Sequence, residues 1–352
     1  MSKRMVSPAC TMASYSMITM KRFAGAMFLL GAVFLNLTFL AQPFHNPSRT
    51  QAQNHSLMVL IWDWPYGHAL NLTGDPCATL CSIKGCQLTW NRNLYNQADV
   101  VVFHHWALQH RRSRPPASKP HPGQKWVWLS LESPTHSKDL ARWDGVFNWT
   151  MTFRQDSDIF IPYGELVAQP SDEVDIPEKS GLVSWVISHY HHTQQRAQLY
   201  RNLSKYIKVD VYGRANKKPL CPACLLPTIS KYKFYLAFEN SVHRDYITEK
   251  LWRNSLLAGS VPVVMGPPRA NYQQFIPGDA FIHVDDFGSV KELADFLLTM
   301  NESRYQRFFE WKRSFAVKLY DSWPERFCTI CQCFSSLPQG KVYHSLEKWF
   351  WS

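Results

Sequence analysis

The sequence predicts an α/β protein in which two parallel-stranded domains face a cleft. The first observation is a strand, helix and strand pattern, because apolar runs at 234–238 and 260–265 bracket leucines at helical spacing. The second is an earlier set of strand-like apolar runs, and the third is a polar, proline-containing break at 168–179 between the two sets. A chain of 352 residues allows about two domains of about 100 to 200 residues each.

The strand, helix and strand pattern also carries a candidate ligand site. Parallel strands place functional residues at their carboxyl ends, where Glu239 and Asn240 close the first strand. The helix that follows starts near Lys250, so a phosphate can dock at its N-terminus with this lysine as counter-charge, and Glu249 can bind ribose hydroxyls. The pattern indicates a nucleotide site. The alternative is that Thr248 and Glu249 only start a helix and that Lys250 is solvated.

The start of the chain has the pattern of a membrane anchor and a stem. The apolar run at 23–41 follows lysines and arginines, with none directly after it, and at about 1.5 Å per residue it spans about 28 Å. This predicts a cytosolic tail at 1–22, a transmembrane signal anchor at 23–41 and a lumenal remainder. A cleaved signal peptide is the alternative, although its apolar part is usually only about 7 to 15 residues long. Residues 42–56 are predicted to be a flexible stem.

The body after the stem divides into three predicted parts. An α/β domain occupies 57–175, a second α/β domain occupies 176–325, and a segment at 326–352 packs back on the body. The strand-like runs that support the two domains lie at 57–62, 100–103, 126–131, 159–161, 182–188 and 207–211.

Cysteine usage agrees with a lumenal body. An even number of cysteines after a secretory segment favours disulfides, although two CxxC pairs also permit a zinc site. The eight are Cys77, Cys81, Cys86, Cys221, Cys224, Cys328, Cys331 and Cys333. Their pairing, within clusters or between them, stays open at this stage.

Charge and sequons bear on partners and modification. A net charge of +11 favours an acidic partner, and a lumenal body meets anionic glycans rather than nucleic acid. Lumenal glycosylation is predicted at the sequons of Asn54, Asn71, Asn148, Asn202 and Asn301.

Several strings resemble one family. FENSVHRDYITEKLW, followed by AGSVPVVMGPPRANYQQFIPGDAFIHVDDF, closely resembles the donor-binding signature of animal α-1,3-fucosyltransferases. LESPTH, FRQDSDIFIPYG and SLEKWFWS resemble the same family, so the likeness covers nearly everything after the first fifty-odd residues. It implies a GT-B-like fold of two Rossmann-like domains, with 57–175 on the acceptor side and 176–325 binding GDP-fucose. It also implies that the first and last cysteine clusters staple the ends of the body through disulfides.

Glycosyl transfer needs a base for the acceptor hydroxyl and positive charge for the departing diphosphate. Glu132 lies just after the predicted strand at 126–131, and in the family the glutamate of this motif is the catalytic base. A solvated loop carboxylate is the alternative interpretation. For the diphosphate the resemblance selects Lys250 and Arg196, although Arg196 can also lie on the solvated face of a helix.

The resemblance assigns the rest of the donor site. Glu249 would bind ribose, and Tyr235, Asn240 and Tyr246 would line the pocket for GDP or fucose, although Tyr235 can equally be packing in its strand. The family often has asparagine at the position of His189, which leaves a donor contact there in doubt. No Asp-x-Asp motif stands at the donor site, so no metal or other cofactor is expected to be tightly bound, although free Mn²⁺ can still stimulate activity.

The expected function is that of an inverting transferase in the Golgi membrane, with a single-pass type II topology. It would move L-fucose from GDP-β-L-fucose in α-1,3 linkage to N-acetylglucosamine of α-2,3-sialylated N-acetyllactosamine, on glycoproteins and glycolipids, and make sialyl Lewis x-type glycans. An enzyme with broader neutral or protein-linked acceptors is the first alternative. A membrane-tethered lectin is the second.

Overall fold

The structure is a computed structural model that describes residues 10–11, 56–67 and 74–352. Its strands are β1 (Cys10–Thr11), β2 (Leu57–Ile61), β3 (Cys86–Thr89), β4 (Val100–His104), β5 (Lys125–Ser130), β6 (Trp149–Thr152), β7 (Ile159–Phe160), β8 (Gly164–Ala168), β9 (Gly181–Val186), β10 (Val209–Tyr212), β11 (Tyr232–Phe238), β12 (Val261–Met265), β13 (Ile282–His283) and β14 (Phe315–Leu319).

The α-helices are mostly short. They are α1 (Pro76–Cys81), α2 (His105–Gln109), α3 (Gln195–Leu203), α4 (Leu225–Ile229), α5 (Glu249–Leu251), α6 (Arg269–Tyr272), α7 (Val290–Thr299), α8 (Glu302–Arg307), α9 (Trp323–Cys333) and α10 (Leu346–Trp351). A π-helical turn, Trp252–Leu257, continues α5. The 3-10 helices are Pro65–Gly67, Arg92–Gln97, Pro134–His136, Leu140–Trp143, Arg214–Asn216, Pro222–Cys224, Val284–Asp286, Glu310–Arg313 and Phe334–Ser336.

Two parallel sheets form the two halves of the body. The first has the strand order β1-β7-β6-β5-β4-β2-β3, and the second has the order β10-β9-β11-β12-β13. Central strands such as β4 and β5 are buried along their whole length, because a parallel sheet is covered on both faces. A separate antiparallel pair lies next to the π-helical turn; its strand β8 follows the first sheet in the chain, and its strand β14 follows the second.

Strand β11 shows how the second sheet is packed on both faces. Phe234, Leu236 and Phe238 belong to one hydrophobic cluster, whereas Tyr235 and Ala237 belong to another. The alternation follows from the period of two along a strand. Every side chain of this alternating set is therefore a core residue.

The C-terminal segment packs on the first domain. Phe327, Leu346 and Phe350 lie in the hydrophobic cluster of the first sheet. The guanidinium of Arg154 donates to the carbonyl oxygens of Trp349 at 2.6 Å and of Phe350 at 3.1 Å. Buried apolar contacts and this buried arginine thus hold helices α9 and α10 in place.

Three disulfides that join described cysteines to one another give the pairing of six residues that the sequence left open. Cys77 pairs with Cys328 and Cys86 with Cys331, so the first and last cysteine clusters are joined to each other. Cys221 pairs with Cys224 inside its own cluster. Three sulfur atoms of Cys77, Cys86 and Cys331 lie within 4.8 Å of one another, but all three belong to disulfides and are not thiolate ligands for zinc.

The predicted anchor at 23–41 and stem residues 42–55 lie outside the described residues. Within 10–11, 56–67 and 74–352, the structure has no helix that is long and apolar enough to cross a membrane. Strand β1 pairs in parallel with β7 at the edge of the first sheet.

Candidate active site

The carboxyl ends of the two sheets meet at one cleft. The hydroxyl of Ser241 in the second domain donates to the hydroxyl of Ser133 in the first at 2.7 Å. Close by, the hydroxyl of Thr135 lies 2.6 Å from Nε2 of His243. The segment between β11 and α5 therefore lies directly on the loop that follows β5, as expected for two domains facing a cleft.

Glu132 stands on that loop, two residues beyond the end of β5. It is half-buried, and its amide and carbonyl lie 3.3 and 3.4 Å from the hydroxyl of Ser130. The carbonyl of Leu131 accepts a hydrogen bond of 2.6 Å from the hydroxyl of Tyr163. The backbone on both sides of Glu132 is thus held, and its carboxylate stays open to a ligand in the cleft.

An aromatic group adjoins this carboxylate. The hydroxyl of Tyr66 lies 3.5 Å from Oε1 of Glu132, and its ring contacts those of His104, Trp106 and Trp323. Burial, followed by the charge of Glu132, raises the pKa of Tyr66, so the phenol stays protonated and can donate. Burial lowers the pKa of His104 to about 3, so its ring is neutral. This part of the cleft presents apolar ring surface beside the carboxylate.

Lys250 lies in an electrostatic cluster on the second domain. Its ammonium is 3.0 Å from Oε2 of Glu239, 2.8 Å from the hydroxyl of Thr248 and 3.2 Å from Oε1 of Glu249. Burial would lower the pKa of Lys250, but the charges of Glu239 and Glu249 outweigh it and raise the pKa. The lysine is therefore a permanent cation beside the start of α5.

Glu239 is a site residue that the sequence pattern placed at the end of a strand without assigning it a ligand or a partner. It is buried, with 1% of its surface exposed, and Oε1 accepts 2.8 and 3.0 Å bonds from the amide and hydroxyl of Thr248. Burial raises its pKa; the charge of Lys250 acts against that shift, and the charge of Glu249 adds to it. Its Oε2 lies 3.0 Å from the Lys250 ammonium, which places the two groups as an ion pair. In the sequence, only its position at the end of β11 indicated a site residue. The pattern did not show that it pairs with Lys250, which lies eleven residues further along the chain.

Arg196 belongs to the same cluster. It lies in the first turn of α3 with 6% exposure, and its guanidinium donates to the carbonyl of His189 at 2.7 Å and to Oε1 of Gln194 at 3.1 Å. Burial lowers its pKa, and the charges of Glu239, followed by Tyr246 and Glu249, act against that shift. Arg196 is therefore not on a solvated helix face. At position 189 the backbone makes this contact, and the histidine side chain is exposed.

Tyr246 connects the two halves of the site. It comes from the second domain, yet it packs in the hydrophobic cluster of the first, with its ring centroid 5.0 Å from that of Phe153. Burial raises its pKa; Lys250 lowers it, and Glu239 and Glu132 raise it further. The charges of Glu132 in the first domain and of Lys250 and Glu239 in the second thus all act on the Tyr246 side chain.

The structure brings most of the predicted site residues together, with one correction. Asn240 is half-buried at the end of β11, where its Oδ1 accepts a 3.0 Å bond from Ser241. Tyr235 was predicted to line the pocket, but it is fully buried in the core and its hydroxyl accepts a bond from Asn254 at 3.2 Å. The prediction is wrong because β11 is a central strand covered on both faces, so this side chain lies beneath the site.

The acidic pairs that could have suggested a metal site have other partners. Asp156 is paired with Arg154 at 2.7 Å, and Asp158 with Lys341 at 2.6 Å. Asp286 is paired with Arg269 at 2.7 Å. These carboxylates therefore serve as ion-pair partners within the fold.

The structure separates the predicted sequons. Asn202 and Asn301 are exposed, and Asn54 and Asn71 lie outside the described residues. Asn148 is only 6% exposed; its Nδ2 donates to the carbonyl of Lys341 at 2.9 Å, and its Oδ1 accepts from the amide of Trp126 at 2.9 Å. The prediction of a glycan on Asn148 is wrong, because the nitrogen that would carry it is used inside the fold.

Comparisons with known proteins agree with this geometry. The model "Fucosyltransferase, N-terminal" matches residues 54–164, and the model "Glycosyltransferase family 10 (fucosyltransferase) C-term" matches residues 176–349. Human alpha-(1,3)-fucosyltransferase 7 is 50% identical over 332 residues, which are 94% of this chain and 97% of that protein. The rat 4-galactosyl-N-acetylglucosaminide 3-alpha-L-fucosyltransferase 9 is 43% identical over 297 residues, 84% of this chain and 82% of that protein.

Solved structures show the same fold. A crystal structure of an alpha1,3-fucosyltransferase with GDP has a TM-score of 0.52 and 17% identity, over 82% of this chain and 92% of the other. Another with GDP-fucose has a TM-score of 0.50 and 17% identity, over 86% and 96%. The fold is GT-B-like, as expected from the two facing parallel sheets. The chain is an enzyme and belongs to the fucosyltransferases of glycosyltransferase family 10.

Proposed function

We propose that this protein transfers L-fucose from GDP-β-L-fucose in α-1,3 linkage to N-acetylglucosamine. One observation carries the proposal: the loop of Glu132 in the first domain contacts the segment that leads to Lys250 in the second, through the 2.7 Å hydrogen bond between Ser133 and Ser241. A base on one side and cations on the other are the two requirements of glycosyl transfer. The family and the solved relative with GDP-fucose support the donor.

The reaction is a single displacement with inversion. The carboxylate of Glu132 accepts the proton of the acceptor O3 hydroxyl while that oxygen forms a bond to C1 of fucose. The bond from C1 to the β-phosphate oxygen breaks, GDP leaves with the electron pair, and the β-linked donor becomes an α-linked product. Lys250 and Arg196 stabilise the charge that grows on the diphosphate, and Glu249 binds the ribose. No step requires a metal ion.

We further propose that the acceptor is an α-2,3-sialylated lactosamine on glycoproteins or glycolipids. The guanidinium of Arg112 stacks on the Trp106 ring at 4.5 Å, and Trp106 contacts Tyr66 beside Glu132. A carboxylate on the acceptor can pair with that guanidinium by charge-assisted hydrogen bonds. Arg112 is thus the member of the basic 111–114 loop that the packing links to the base.

Fucose transfer to sialylated and neutral lactosamine tests both proposals. The unaltered enzyme is expected to prefer the sialylated acceptor by roughly ten- to hundred-fold, the equivalent of about 1.5 to 3 kcal/mol for a hydrogen bond to a charged group. Arg112→Ala should remove most of that preference, with transfer to neutral lactosamine nearly unchanged. Arg304→Ala is the matched control, since this arginine also stacks on a ring, Phe296 at 4.3 Å, but on the outer helices of the second domain.

Each result has a distinct meaning. Absence of transfer to any acceptor would refute the fucosyltransferase activity of this chain. Equal transfer to both acceptors by the unaltered enzyme would refute the preference for sialic acid. An intact preference in Arg112→Ala would refute only the assignment of Arg112.

We also propose that the enzyme is a single-pass type II protein of the Golgi membrane, with its body in the lumen. The apolar run at 23–41 and the disulfides between described cysteines support this location. In secretory cells we expect N-glycans on exposed sequons such as Asn301 and none on Asn148, as read by glycopeptide mass spectrometry. An unglycosylated chain that is digested when protease is added outside sealed Golgi vesicles would overturn the topology.

A further inference from the structure

Asp245 is a buried carboxylate at the boundary between the two domains. It lies on the segment between β11 and α5, with only 2% of its surface exposed, directly before Tyr246. Its φ of 61° is in the left-handed region, which residues other than glycine adopt infrequently and aspartate and asparagine tolerate best. A charged residue in this conformation persists only where the surroundings hold it.

Both domains provide the groups that hold Asp245. From the second domain, Asn271 donates to Oδ1 at 2.7 Å, and its own Oδ1 accepts from the amide of Asp245 at 2.7 Å. From the first domain, Gln155 donates its amide to Oδ2 at 3.0 Å and its side-chain nitrogen to Oδ1 at 3.3 Å. Arg244 adds a guanidinium nitrogen 3.6 Å from Oδ2.

The segment of Gln155 is itself tied into the first domain. Arg154 is buried and binds the C-terminal helix, and Asp156 pairs with Arg154 at 2.7 Å and with Arg244 at 3.5 Å. Gln155 also donates to Oε1 of Gln274 in the second domain at 2.8 Å. The run 154–156 therefore connects the two domains.

We propose that Asp245 is a positioning residue that fixes the donor half of the active site against the half that carries Glu132. This inference rests on the proposed function. Its carboxylate joins Gln155 to Asn271, and its left-handed backbone turns the chain so that Tyr246 enters the core of the first domain. The distance from the base to C1 of a bound fucose then depends on this carboxylate, although Asp245 touches no reacting atom.

The test separates the carboxylate from the backbone conformation. Asp245→Asn keeps the size and the tolerance for positive φ, but it places an amide NH₂ group opposite one of the N–H donors of Gln155 or Asn271. Asp245→Gly keeps only the freedom to adopt a positive φ. We expect kcat to fall at least about ten-fold in both variants, because small displacements at the reacting atoms cost up to about a hundred-fold. The Kd for GDP should stay within about three-fold, since the residues proposed to bind GDP all lie in the second domain.

The control is Asp295→Asn, which removes an exposed carboxylate of α7 that is paired with Lys291 at 2.6 Å, and it should change neither quantity. Rates are divided by the concentration of GDP-binding sites. Unfolded molecules do not bind GDP, so a partly unfolded sample does not give a falsely low kcat. A double-mutant cycle combines Asp245→Asn with Gln155→Ala. The double variant should lose less kcat than the two single losses added as free energies, because both substitutions break the same contact.

Hydrogen exchange gives a readout that does not need turnover. In Asp245→Asn, exchange should become faster in a peptide covering 153–157 and stay unchanged in α7. An unchanged kcat, a loss of GDP affinity that parallels the loss of kcat, or unchanged exchange at 153–157 would each overturn the proposal. If the unaltered enzyme transfers no fucose, the proposed function fails, and the exchange result still decides whether Asp245 joins the domains.

Discussion

Glu132→Gln is expected to lower turnover by about a hundred-fold or more, with the affinity for GDP nearly unchanged. Glutamine keeps the size and the hydrogen-bonding capacity of the side chain but cannot accept the proton of the acceptor hydroxyl, and general base catalysis contributes about 10²- to 10⁴-fold. The binding of GDP should survive, because the residues proposed to contact it are on the second domain. Steady-state fucose transfer and calorimetric GDP binding measure the two quantities.

A second glutamate provides the comparison. Glu178 is exposed on the segment between the two domains, and Glu178→Gln is expected to behave like the unaltered enzyme. Near-normal turnover of Glu132→Gln would remove Glu132 from the mechanism. Loss of GDP binding together with turnover would mean that the substitution had disturbed the second domain.

The second large effect is expected at the pair of Lys250 and Glu239. Lys250→Ala should weaken GDP binding and fucose transfer together, since the ammonium stabilises charge that the donor already carries and that grows as GDP leaves. It should also destabilise the fold by about 3 to 5 kcal/mol, because it leaves a buried carboxylate without its partner. Glu239 is that carboxylate, 3.0 Å from the missing ammonium.

A double variant distinguishes stability from donor binding. Glu239→Gln with Lys250→Met leaves no buried charge in the pair, and the hydroxyl of Thr248 can still donate to the amide oxygen. We expect its free energy of unfolding in urea to recover most of the loss of Lys250→Ala, while GDP binding stays weak. Normal GDP affinity in the double variant would show that the cation does not bind the diphosphate, and an unfolding midpoint no better than that of Lys250→Ala would show that the buried charge was not the cause of instability.

Local patterns in the sequence determined the two-domain α/β fold. Runs of apolar residues predicted strands at 126–131 and 234–238, and the structure has them at Lys125–Ser130 and Tyr232–Phe238. The polar break at 168–179 falls between the last strand of the first half and β9. Strands that are buried on both faces need such runs, which located these two, whereas the buried strand Trp149–Thr152 was not among the predicted runs.

The sequence also located the loop of Glu132 and the helix start that carries Glu249 and Lys250, because the carboxyl ends of parallel strands follow directly from the positions of the strands. Their assignment as base and donor ligands needed the resemblance to a family. Physical chemistry alone allowed a solvated carboxylate and a solvated lysine at the same positions.

Only the tertiary structure decided which side chains are exposed and what they pair with. Tyr235 and Asn148 occupy positions whose sequence fits a ligand and a glycan, yet packing from distant parts of the chain buries both. Glu239 pairs with Lys250 at 3.0 Å across the turn between β11 and α5. Asp245 contacts Gln155, also at 3.0 Å, although the two residues are 90 positions apart in the chain. The physical reason is that burial and long-range pairing depend on the relative placement of whole sheets, which no local pattern of residues encodes.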